Sequence, residues 1–130
     1  RLQAGIEMAA FVGLLVILFM VFAGVSIQRQ AEVTRSRGMV EAERVGNLVA
    51  THINTATSVG DGYSANFTLP NDLQGYSYYF ISFPQEQRIV VVWGEQNSSY
   101  SAPISTSQFD VNVTSTFVRV RNQQGVVHVD

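Results

Sequence analysis

Two hydrophobic periods divide the 130-residue chain. Met8 to Ile27 is a run of twenty residues with no charge, proline or amide. As a helix rising about 1.5 Å per residue it spans about 30 Å, the thickness of a bilayer's hydrocarbon core. Residues 28–58 then turn polar but keep a helical spacing, with Ala31, Ala42, Val45, Val49, His52, Ile53 and Ala56 on one stripe. No proline occurs before Pro70, and Gly60 in Val59-Gly60-Asp61-Gly62 offers a left-handed cap. These signs predict one continuous helix over 1–58, about 85 Å long. Its residues 1–27 form the apolar part, and residues 28–58 an amphipathic part that packs on whatever follows. Arg37–Glu41 and Glu41–Arg44 are spaced to support its exposed side.

From Tyr63 the period is two. Tyr63, Ala65, Phe67 and Leu69 alternate with Ser64, Asn66 and Thr68. Pro70–Gly75 reads as a turn, and Tyr76–Phe83 and Arg88–Gly94 flank Pro84-Gln85-Glu86-Gln87 as a hairpin. Gln96–Ser107 reads as a long Ser-rich loop. Phe109, Val111 and Val113 alternate with Asp110, Asn112 and Thr114, and Phe117–Arg121 and Val126–Val129 flank Asn122-Gln123-Gln124-Gly125 as a last hairpin. Residues 59–130 are therefore expected to form a head of about six short strands, an antiparallel sandwich or small barrel. The fold class is α+β, a long helical stem ahead of a small β head, giving a lollipop shape. A head this small sits near the lower limit for a self-sufficient core, and the stripe Val45, Val49, Ile53 offers to complete it.

Composition narrows the possibilities. The net charge of −2 argues against nucleic acid as a partner. All eight basic residues are arginine. With no cysteine, disulfides and thiolate metal sites are excluded, and the head must hold together by packing. The apolar run exceeds the length of a secretory signal's core and passes into a charged helical stretch without a small-residue cleavage site, so retention in the mature protein is expected.

Glu7 stands at the start of the apolar run, where a carboxylate is costly unless it meets a cation or the membrane interface. It can lie in the first turn, favoured by the helix dipole and reached by interfacial water, or pair with a cation on a neighbouring chain. Gly5, Ala9 and Gly13 recur every four residues, a small-residue stripe that lets helices approach closely. With this segment on the page, QAGIEMAAFVGLLVILFMVFAGVSI resembles the N-terminal segment of type IV pilins, particularly the archaeal kind with class III signal sequences. Counted from Gln3, Glu7 is the fifth residue, where pilins carry a glutamate. The resemblance covers about residues 1–30; the β head matches in general architecture. One departure is that the chain begins two residues earlier, at Arg1-Leu2, which leaves the α-amine, the Arg1 guanidinium or neither as Glu7's partner.

The resemblance implies a homopolymer: insertion in the membrane, trimming by a prepilin peptidase, then extrusion by an ATP-driven pilus assembly machine into a cell-surface filament with apolar helices at its core. On that footing Gly5, Glu7, Ala9, Phe11, Gly13, Leu14, Leu18 and Phe22 are the candidate assembly residues, and surface adhesion is the implied role. The alternatives are a single-span anchored extracellular binding domain and a motility filament subunit, whose apolar helix usually lacks this glutamate.

Three sequons, Asn66-Phe67-Thr68, Asn97-Ser98-Ser99 and Asn112-Val113-Thr114, all fall in the head and mark candidate N-glycosylation sites, set against a merely polar β surface. Tyr76, Tyr78, Tyr79, Phe80, Phe83 and Trp93 suit core and cross-strand packing better than an adhesive patch. His52 and His128 lack ligand spacing, and no phosphate loop or nucleophile motif appears. No cofactor, metal or enzymatic activity is expected.

Overall fold

In the computed structural model, which describes residues 2–130, a single helix α1 runs from Leu2 to Val59. Seven strands follow: β1 (Ser64–Thr68), β2 (Tyr78–Phe83), β3 (Arg88–Trp93), β4 (Ser98–Pro103), β5 (Phe109–Val111), β6 (Phe117–Gln123) and β7 (Val126–Val129). They form two sheets, one ordered β1-β6-β7-β5 and the other β2-β3-β4. The chain divides into two compact units, one ending at Ser36 and the other running from Arg37 to Asp130. The second unit thus takes in the last part of α1 together with both sheets.

That part of α1 is central to the head. Its buried residues Ala42, Val45, Val49, Ala50, Ile53 and Ala56 share one cluster with residues of both sheets, including Ile89, Val91 and Trp93 of β3 and Val118 and Val120 of β6, and Gly38 and Gly46 are buried beside them. Small residues decide how closely helix and sheet approach. A Cβ placed on Gly46 would lie 2.9 Å from Tyr100 Cδ1, and one on Gly38 would lie 3.2 Å from Trp93 Nε1. On the side facing the four-stranded sheet, the His52 ring stacks flat on Phe67 of β1, with centroids 4.2 Å apart. The predicted stripe is correct from Ala42 onward, but Ala31 is exposed and the buried face begins at Gly38.

The end of α1 is held from two directions. Gly60, at φ +93°, donates its N–H to the Ala56 carbonyl, the left-handed cap that an L side chain would strain. Asn122, 3% exposed, donates from Nδ2 to that same carbonyl, while its Oδ1 accepts from Gly125 N–H. One buried amide therefore ties the helix end to the β6–β7 turn. In that turn Gln124 (φ +55°) and Gly125 (φ +85°) both take the left-handed conformation of a two-residue hairpin.

Four expectations are corrected. Within Gln96–Ser107, Ser98–Pro103 is a strand, β4, paired antiparallel with β3. Its only small polar residues are Ser98, Ser99 and Ser101, and serine carries no apolar signal, so its alternation is faint; it is an edge strand, where Pro103 is tolerated. The head therefore has seven strands rather than about six, and their two sheets match the expected sandwich rather than the barrel. β5 pairs parallel with β7, an exception to the otherwise antiparallel pairing, because the 112–116 connection and β6 intervene between them. Glu41 pairs with neither Arg37 nor Arg44; its carboxylate accepts from Gln74 N–H at 3.2 Å and Gln74 Nε2 at 3.0 Å, pinning the β1–β2 connection to the helix.

Replacing Gly46 with valine should force Tyr100 and Val91 off the helix. Overpacking of this kind costs about 1–3 kcal/mol, so the detergent-solubilised protein should unfold at lower temperature, followed by Trp93 fluorescence. Unchanged stability would show that the helix does not rest on β3 and β4 at this point.

His52 yields a second prediction. Burial holds its pKa below the usual 6.5, so the folded chain prefers the neutral ring. Below that pH the unfolded chain binds more protons than the native one. Stability from this site is therefore complete above about pH 6.5 and declines as the pH falls through it. Unfolding curves across this range should show the decline, and His52→Phe, which keeps the stack on Phe67, should flatten it.

Candidate functional site

The candidate assembly residues all lie in the first unit, on the α1 segment that precedes Arg37. Helix formation there needs little help: leucine, alanine and methionine have high helix propensity, and a turn-by-turn ladder satisfies the backbone wherever side chains are apolar. From Leu2 to Arg37 every residue is exposed except Ala23 and Ser26, which are half-buried. The segment is long and apolar enough to cross a membrane, and none of its most apolar 18 residues is buried. Phe19 and Phe22 are each 72% exposed. Burying such side chains is worth about 1.5–3 kcal/mol apiece, so this surface calls for lipid or another apolar surface as its neighbour.

Helical geometry sorts the eight assembly residues into two groups. At about 100° per residue, Gly5, Ala9 and Gly13 fall on one face, and Glu7, Phe11, Leu14, Leu18 and Phe22 fall on the opposite one. The first face is open, for a Cβ added at Gly5 or Gly13 would meet nothing within 4 Å. The second carries bulky side chains, with Phe11 61% and Leu18 56% exposed. A helix with a flat face and a ridged face presents two unlike surfaces to its surroundings. This division follows from the residue numbers once they are placed around the helix.

The three sequon asparagines are all exposed. Asn66 lies on the outward side of β1, an edge strand, opposite Arg119 of β6. Asn97 sits in the β3–β4 turn at φ +50°. Asn112 was expected within a strand but follows β5 by one residue, and its N–H donates to the Val129 carbonyl.

Of the aromatic group, Trp93 is buried and Tyr78, Phe80 and Phe83 are half-buried, so packing accounts for them. Tyr78 meets Phe80 edge-on and donates its hydroxyl to the Pro70 carbonyl; burial first, then the Asp72 carboxylate, raises its pKa. Tyr76 and Tyr79 stay exposed. The Arg88 guanidinium lies 4.4 Å over the Phe83 ring and also pairs with Glu86. A groove of about 520 Å³ between α1 and the β1–β2 connection is lined by Glu41, Arg44, Leu48, Leu69 and Leu73 among others. The Glu41 carboxylate there is already engaged by Gln74, and no histidine lines it.

Compared with known proteins, the chain matches no family model, no curated protein and no solved structure.

Proposed function

We propose that this chain is the structural subunit of an extracellular type IV pilus-like filament that polymerises through its apolar helix and serves surface adhesion. The observation that supports this most is the exposed segment of α1, with its two unlike faces and a lone carboxylate at its start. Lipid satisfies the apolar side chains before assembly, while identical copies satisfy them afterwards. A segment that only anchored the head would need residues 8–27 and nothing special at Glu7. The small face of Gly5, Ala9 and Gly13 suits close backbone approach by a neighbouring helix, which is how helices associate when there is no water to expel.

The same proposal assigns the other components. A prepilin peptidase trims the chain and an assembly machine extracts it from the membrane. The head lies outside the cell, where Asn66, Asn97 and Asn112 are exposed acceptors for N-linked glycans. No catalytic activity, cofactor or nucleic acid enters into it. The resemblance of the N-terminal segment to archaeal type IV pilins and the α+β architecture agree with this reading.

Electron microscopy of material sheared from the cell surface should show fibres whose subunit, by mass spectrometry, is this chain, with glycan mass on peptides containing the three asparagines. Recovery of the chain only as a monomer of the membrane fraction would favour the anchored extracellular domain and exclude the filament.

A further inference from the structure

The ridged face of α1 carries opposite charges at its two ends. Glu7 precedes the uncharged run, and Arg29 is the first cation after it. The two are 22 residues apart, which separates them by about 33 Å along the axis yet returns them to within about 40° around it. Phe11, Leu14, Leu18, Phe22 and Val25 lie between them on the same stripe, and Leu18, Phe22, Val25 and Arg29 line one continuous shallow face. Among the described residues neither Glu7 nor Arg29 is in an ion pair, although Glu32 lies one turn beyond Arg29.

The two charges are too distant to satisfy each other within one helix, since screening takes hold over about 8 Å. Between copies the options are few. Two parallel helices in register would set carboxylate against carboxylate and guanidinium against guanidinium. An antiparallel pair would match the charges, but copies inserted into one membrane by one route point the same way. A parallel copy displaced by 22 residues, about 33 Å, places its Glu7 beside the Arg29 of the first. That displacement also sets its Phe11 beside Val33, an exposed apolar residue (50%) in the otherwise polar stretch that follows Arg29.

We infer that Glu7 of one copy pairs with Arg29 of a second copy of this chain, displaced along the axis by about 33 Å. This rests on the filament proposal and sets its axial register. The contact is head-to-tail: each copy offers its acidic end to one neighbour and its basic end to another. Such a heterologous contact does not close on itself and propagates as an open fibre.

Charge reversal tests it. Glu7→Arg and Arg29→Glu should each lower filament yield by roughly tenfold or more, because each strands a charge in an apolar surrounding, and the double reversal should restore it. Arg35→Glu, on a different face, should leave yield unchanged. All variants should remain in the membrane fraction on alkaline extraction. A second measurement uses the absence of cysteine: Met8→Cys combined with Gln30→Cys keeps both charges and the same spacing, and oxidation of intact filaments should give a ladder of disulfide-linked multimers. Wild-type filaments accompanied by normal yield from Arg29→Glu, by no rescue in the double reversal, or by no ladder would overturn this contact alone. Absence of wild-type filaments would overturn the filament proposal and this contact with it.

Discussion

The constraint on which the rest depends is that residues 8–27 present a full circumference of apolar side chains, none of them buried. Hydrophobic burial is the dominant favourable term in folding and association, and here it is left unused by the chain's own fold. A soluble monomer is therefore an incomplete state. Lipid is one way to complete it, and other copies of the same helix are another. What distinguishes these two environments is that lipid is uniform around a helix whereas neighbouring helices are not, which is why the asymmetry between the small face and the ridged face carries weight.

The head meets the opposite problem, too little apolar surface for its size, and solves it by recruiting α1. Gly38 and Gly46 let the helix come close to the three-stranded sheet, where Trp93, Val91 and Tyr100 take up the space, and Ala42 and Ala50 are buried in the shared core. Val45, Val49 and Ile53 extend the same core. Asn122 then fixes where the helix must stop relative to β6. One helix thus supplies the core of the head along one stretch and an uncovered apolar surface along another. The polar residues after Ile27 separate those two duties.

Much of this was legible in the residues. The helix was, because nothing between Leu2 and Val59 interrupts it and Gly60 supplies its cap. The strands with clear alternation, such as Tyr63–Leu69 around β1 and Arg88–Gly94 around β3, were legible too. β4 was not, since serine contributes no hydrophobic signal and its place is set by pairing with β3. The parallel β5–β7 pairing depends on contacts distant in sequence, which periodicity does not report. Glu41's engagement with Gln74 was hidden for the same reason, as local spacing pointed to arginines on its own helix. Gly38 and Gly46 carried a signal, helical spacing with Ala42 and Ala50, but its meaning needed the aromatic residues opposite. The candidate assembly residues were all visible in sequence; their division between two faces required reading them around the helix rather than along it.

The most direct measurement is a helical reconstruction of the surface fibres by electron cryomicroscopy, at a resolution that traces helices. The account predicts that residues 8–27 of every copy lie at the fibre axis, each flanked by the same segment of other copies, with the β heads outermost. A fibre in which that segment faces solvent, or one built from a different chain, would contradict it.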